Sequence, residues 1–177
     1  SRDGYAYIRY SDDAIYALDL ATMNCSETSF SAGLGSFGMG YATDQADSWR
    51  DELYIASSSA LATLDTQSWG ASMLGNMSSQ SELTGNANGE LWAFLPLESP
   101  AELVQLDKNT GAELTQHRLN GFPNAGNIDT FAFATWGGDV WLFVRSYGMG
   151  NSTDLYRVDV NGNLALVLAT NNRSKHL

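Results

Sequence analysis

Residues 103–113 read LVQLDKNTGAE: an apolar run ends at Asp107, passes through Lys108, Asn109 and Thr110, and turns at Gly111. Looser copies of the same phrase occur three more times, as IYALDLATMN from Ile15, LATLDTQSWG from Leu61 and LYRVDVNGNL from Leu155. An aspartate followed by polar residues and a Gly or Asn is turn chemistry. The carboxylate accepts hydrogen bonds from the backbone just ahead of it, and Gly or Asn tolerates positive φ. Each copy therefore predicts a strand running into a tight hairpin.

The four aspartates stand at 19, 65, 107 and 159, with spacings of 46, 42 and 52 residues. A second marker precedes each one: DGYAYIRY from Asp3, RDELYIAS from Arg50, NGELWAFL from Asn88 and GGDVWLFV from Gly137. Its central aromatics are Tyr7, Tyr54, Trp92 and Trp141, spaced by 47, 38 and 49 residues. Two independent markers that keep one order and nearly one period define a repeat. Within a unit the pattern is four short strands. In the last they are TFAFAT, DVWLFVR, DLYRVDV and NLALVLA, separated by Gly137–Gly138, a longer loop and Asn161–Gly162. No segment has sustained helical periodicity.

A single four-stranded sheet cannot bury both faces, whereas radial stacking of such sheets does. The predicted fold is accordingly all-β, a β-propeller of about four blades of four antiparallel strands. One domain spans 1–177, with blades at about 1–30, 31–76, 77–120 and 121–171. The first blade departs from the pattern. YAYIRY, AIYALDL and NCSETSF make three strands, and the inner strand that should precede them is absent. The tail NNRSKHL is short and polar. The expectation is that self-association or additional blades complete the ring, because an open strand edge invites pairing.

The pairs GELW…LVQLDKNTG and GDVWLF…LYRVDVNGN resemble blades of a large, divergent class of bacterial propellers, the quinoprotein-type and related repeats, in which a strand ends in Asp-x-x-Thr-Gly. GYATDQADSWRDELYIASSSALATLDTQSW and FAFATWGGDVWLFV resemble blades in secreted or surface-anchored proteins of deltaproteobacteria. The resemblance implies a blade architecture in an exported protein. It implies no particular activity, since propellers carry many unrelated chemistries.

Bulk composition narrows the function. Twenty acidic residues against nine basic ones give a net charge of −11, which disfavours nucleic acid and anionic membrane surfaces as partners. No run of 18 apolar residues exists, so no membrane insertion is expected. The chain opens at SRDGYAY without a signal-peptide pattern, which fits a mature or trimmed form. Asn and Ser are plentiful and Lys108 and Lys175 are the only lysines, a composition suited to an extracellular, periplasmic or cell-surface location.

Sites of chemistry are few. His117 and His176 lack spaced partner ligands, so no metal is expected there. Cys25, the only cysteine, reads as a buried or inert thiol. The oxygen-rich turns DVNGN and DKNTG each offer one carboxylate, too few for calcium, and read as hairpin turns. GLGSFGMG (33–40) opens no helix and so is no dinucleotide site. The N-x-S/T triplets at Asn24, Asn76, Asn151 and Asn172 read as by-products of an Asn- and Ser-rich composition. No cofactor is expected. The repeating aromatics read as packing between blades. Ligand contacts are instead expected on the face bearing the longer loops, at Asp12, Asp13, Glu98, Phe122, Asn124, Arg145, Tyr147 and Asn151. The resulting expectation is a non-catalytic binding or scaffolding module for a protein or carbohydrate partner. The alternatives are an enzyme of quinoprotein or lyase type and a lectin-like propeller.

Overall fold

The four aspartates close four hairpins in one way. Asp19 Oδ1 accepts the N–H groups of Ala21 and Thr22, Asp65 Oδ1 those of Gln67 and Ser68, Asp107 Oδ1 those of Asn109 and Thr110, and Asp159 Oδ1 those of Asn161 and Asn163, all within 2.8–3.1 Å. In the first three turns the fourth residue after the aspartate donates its N–H back to the aspartate carbonyl: Met23, Trp69 and Gly111, each at 2.8 Å. The fourth turn is one residue shorter, and Gly162 closes it at 2.9 Å. All four closing residues have positive φ, at 58°, 60°, 72° and 80°. Glycine meets that demand without strain in two turns, whereas Met23 and Trp69 meet it despite a Cβ.

The computed structural model describes residues 2–31, 33–46, 48–86, 88–148, 150, 152–159 and 161–169. Fifteen strands and one short 3-10 turn (Ala125–Asn127) are present among them. The first sheet holds β1 (Tyr5–Arg9), β2 (Ile15–Asp19) and β3 (Cys25–Glu27). The second holds β4 (Phe37–Thr43), β5 (Asp51–Ser57), β6 (Leu61–Leu64) and β7 (Ala71–Gly75). The third holds β8 (Glu82–Gly85), β9 (Leu91–Leu95), β10 (Glu102–Leu106) and β11 (Glu113–Arg118). The fourth holds β12 (Ile128–Trp136), β13 (Asp139–Ser146), β14 (Asp154–Val158) and β15 (Leu164–Ala169). Every pairing is antiparallel between sequence neighbours, so the chain is a four-bladed β-propeller whose first blade holds three strands among the described residues.

Strand alternation sends successive side chains to opposite neighbours. On β5, Leu53 and Ile55 pack toward blade 1 while Tyr54 and Ala56 pack toward blade 3. Three apolar clusters result, one at each junction: Ile15, Phe37 and Leu64 between blades 1 and 2; Tyr54, Leu91 and Val104 between 2 and 3; Phe94, Leu103 and Leu142 between 3 and 4. Among the described residues no such cluster joins blade 4 to blade 1.

The innermost strands of blades 2 to 4, β4, β8 and β12, lie side by side. Glycine makes the approach of β4 and β8 possible. A Cβ on Gly38 would lie 2.3 Å from the Ser81 carbonyl oxygen, and one on Gly85 would lie 2.2 Å from that of Tyr41. Polar links tie the blades as well. Lys108 Nζ donates to the carbonyls of Thr43 and Asp44 at 2.5 and 2.8 Å, and Thr135 Oγ1 donates to Gly85 O at 2.8 Å.

Two sequence expectations need correcting here. Cys25 is exposed, because it lies on β3, the outermost strand of a blade covered on one face only. Of the repeating aromatics, Tyr7, Tyr54 and Trp92 pack at blade junctions, but Trp141 belongs to none of the three clusters, because among the described residues no blade packs on its face of blade 4.

Candidate functional site

A cavity of about 810 Å³ opens at the end of the blades that carries the aspartate turns. Its volume is that of a small-molecule site. The ends of the inner strands supply Thr43, Gly85 and Thr135, and the β8–β9 and β12–β13 turns supply Asn86, Asn88, Glu90 and Gly137 to Asp139. Trp92 and His117 enter from blade 3, and Val140, Val158 and Asp159 from blade 4.

The hydrogen bonds around Trp92 form a closed set. Its indole Nε1 donates to Glu90 Oε2 at 3.1 Å, and Asn86 Nδ2 donates to the same oxygen at 2.5 Å. Asn86 Oδ1 in turn accepts the N–H groups of Asn88 and Glu90, both at 3.1 Å. The indole is thus held from its polar edge. Its ring lies nearly parallel to the His117 imidazole, with centroids 5.9 Å apart and planes inclined by 17°. Gly162 covers that imidazole from blade 4, where a Cβ would stand 2.4 Å from Nδ1. The result is a two-ring stack at the cavity wall, hydrogen-bonded at the indole edge.

Charge in the cavity is predominantly negative. Asp51, Glu90, Asp139 and Asp159 line it, against Arg2. Arg2 pairs with Asp51 at 3.4 Å, and Arg157 with Asp139 at 2.7 Å. The Asn163 side chain, the first cause, holds the Asp159 carboxyl below the usual carboxylate range, with the backbone N–H of Asn163 adding to it. Asp159 is therefore a fixed anion at the rim.

None of the described residues expected to bind from sequence lines this cavity. Asp12, Asp13, Glu98, Phe122, Asn124, Arg145 and Tyr147 lie at the opposite end, in the β1–β2, β9–β10 and β13–β14 loops and the β11–β12 link. Asp12 Oδ1 accepts the Ala14 N–H at 3.1 Å, and Asp13 pairs with Arg9. Glu98 is half-buried, and Asn124 is exposed ahead of the 3-10 turn. Arg145 pairs with Asp129, with Nε and Nη2 at 2.7 and 2.5 Å from one oxygen. Tyr147 is exposed, and its N–H donates to Asn127 O at 2.8 Å. Phe122 requires a correction. It is buried against Phe94 and Tyr156, with centroids 5.4 and 5.1 Å away, because the link folds back under blade 4. Asn151 and His176 lie outside the described residues.

Sequence reasoning missed Glu82, on the inner strand β8. Burial pushes its carboxyl up to about 7, while the charge of Arg9 pulls the other way without prevailing. Its Oε2 would sit 3.0 Å from a Cβ at Gly38. The available signal was an acidic residue inside SELTG, the segment just ahead of the NGELWAFL marker. The Trp92–His117 stack joins residues 25 apart and gave no comparable signal.

No family model matches the chain, and no curated protein matches it. Solved structures do resemble it. A GH43 glycoside hydrolase engineered to display both endo-xylanase and exo-arabinofuranosidase activity superposes with a TM-score of 0.58 at 7% identity, over 93% of this chain and 39% of that one. The dihydro-heme d1 dehydrogenase NirN gives 0.47 at 14% identity, over 93% and 34%. An oligogalacturonate lyase from Vibrio parahaemolyticus gives 0.44 at 10% identity, over 95% and 62%. The chain thus spans between about a third and three fifths of these proteins. The likeness to the first is one of fold, that of a propeller.

Proposed function

We propose that this chain is a binding module of an exported protein and that the turn-face cavity takes a neutral or amino-substituted sugar. The carrying observation is the Trp92–His117 stack, held in place by Glu90 and flanked by Asn86, Asn88 and the rim carboxylates. An immobilised aromatic face offers a flat apolar surface to the C–H face of a pyranose. Carboxylates and amides beside it accept and donate hydrogen bonds to hydroxyls. The negative lining disfavours uronic acids and favours an ammonium substituent. A glycan fits the exported location read from composition, and the loop-bearing face at the other end stays open to a protein partner.

The test is calorimetric titration of the chain with neutral, amino-substituted and uronate oligosaccharides. Binding of the first two classes, lost on Trp92→Ala and weakened for the amino sugars on Asp139→Asn, supports the reading. Binding of uronates alone, or no dependence on Trp92, overturns it.

One observation favours a second reading, that of an enzyme. Glu82 is a carboxyl near neutral pKa on an inner strand, which is the property of a general acid. Hydrolysis of an aryl glycoside that disappears on Glu82→Gln with the fold intact would establish it.

A further inference from the structure

The two end blades each present an apolar face whose repeat equivalents are buried elsewhere in the same molecule. The residue two places after the repeating aromatic is Ala56 in blade 2, Phe94 in blade 3 and Phe143 in blade 4. Ala56 and Phe94 are 0% exposed, covered by the following blade, whereas Phe143 is 44% exposed. Its cross-strand partners continue the row, from Ala132 through Phe143 and Leu155 to Leu168. Blade 1 shows the complementary case. The residue one place after the aromatic is Ile55, Ala93 or Leu142 in blades 2 to 4, all at most 1% exposed and covered by the preceding blade, but Ile8 is 38% exposed. Its partner Tyr16 is half-buried, although the equivalents Ala62, Val104 and Tyr156 are buried.

Every internal junction mates one face of each kind: the face that receives the following blade meets the face that receives the preceding one. Among the described residues one example of each is left unmated, the receiving face on blade 4 and the received face on blade 1. We infer that two copies of this chain associate head to tail, the Phe143 face of one seating the Ile8 face of the other. The junction continues the three that the fold already contains, and two copies mate every end face. Closed by two copies, the ring has two-fold symmetry: Phe143 of each copy meets Ile8 of the other, so each of the two junctions joins two different patches. A large apolar sheet face otherwise left in water marks an interaction surface.

The test is light-scattering mass of the purified chain across a dilution series, with Phe143→Glu and Ile8→Glu variants. Both positions are partly exposed, so folding is checked by circular dichroism and thermal melting. The expected result is twice the chain mass for the native protein and one chain mass for each variant, with association weakened at least a hundredfold. Mixing the two variants restores pairs, because the mixture still contains one intact Phe143 face and one intact Ile8 face. A native chain that stays single at every concentration overturns the inference, as does a loss caused by Phe143→Glu alone. Hydrogen exchange of the native protein gives a check that needs no variant. Protection that rises with concentration is expected only at β1–β2 and β12–β15, and protection elsewhere or nowhere overturns the inference.

Discussion

Gly38 of β4 and Ser81, just ahead of β8, meet backbone to backbone, so closely that a methyl on Gly38 would stand 2.3 Å from the Ser81 carbonyl oxygen. Inner strands of neighbouring blades converge toward the axis, and at this depth there is no room for a side chain. The contacted atom belongs to the main chain of a sheet, so it cannot swing away.

Gly38→Ala should therefore cost at least about 3 kcal/mol, the upper end of ordinary overpacking, because a blade has to shift. Gly126→Ala is the control: a Cβ there meets nothing within 4 Å, and stability should stay within about 0.5 kcal/mol. Urea melts of the two variants decide the matter. Equal midpoints would mean that the inner strands are farther apart than described.

The aspartate turns make stability depend on acid. Backbone N–H groups, led by those of Thr22, Ser68 and Asn109, hold Asp19, Asp65 and Asp107 below the usual carboxylate range, and the Asn163 side chain does the same for Asp159. A lowered folded pKa stabilises above the unfolded value, and the benefit is lost as pH falls through the folded one. Thermal midpoints should drop as pH falls from the unfolded carboxylate range into stronger acid. Asp107→Asn should shrink that drop, and a drop of unchanged size in the variant would clear the turn of responsibility.

Glu82 acts in the opposite direction. Its folded value of about 7 exceeds the ordinary 4.5, so its contribution is greatest below pH 4.5 and is lost as pH rises to about 7. That difference corresponds to a contribution on the order of 3 kcal/mol. Glu82→Gln should flatten stability between those limits. A direct titration of the Glu82 carboxyl near the ordinary value would refute the assignment.

Met23 is mostly exposed and sits at φ 58° in the position that Gly111 fills in the third blade. Left-handed geometry costs a residue with a Cβ about 1–2 kcal/mol, against about 0.5–1 kcal/mol of extra chain entropy lost by glycine. Met23→Gly should raise stability by about 0.5 kcal/mol. A lower unfolding midpoint would show that the methionine side chain contributes more than the turn geometry costs it.

The spacing of Asp19, Asp65, Asp107 and Asp159 was enough to read the blades, because a hairpin turn is a local device whose hydrogen bonds span four residues or fewer. The three described strands of blade 1 were legible for the same reason. The cavity was not, since it gathers groups from Arg2 to Asp159 across all four blades. Phe122 looked like a loop aromatic because Gly121 and Pro123 flank it, and only the path of the link reveals that its ring turns into the core. Gly38 and Gly40 belong to the glycine-rich stretch 33–40, whose sequence does not show that they lie within β4, where contact with another blade excludes any side chain.

The three apolar clusters share no residue, and a single strand feeds two of them from alternate positions. Substitutions that reshape one junction therefore leave the next undisturbed, and each pair of sheets is free to drift along its own course. That independence lets the four repeated units differ so widely that little but an aspartate and an aromatic remains common to them.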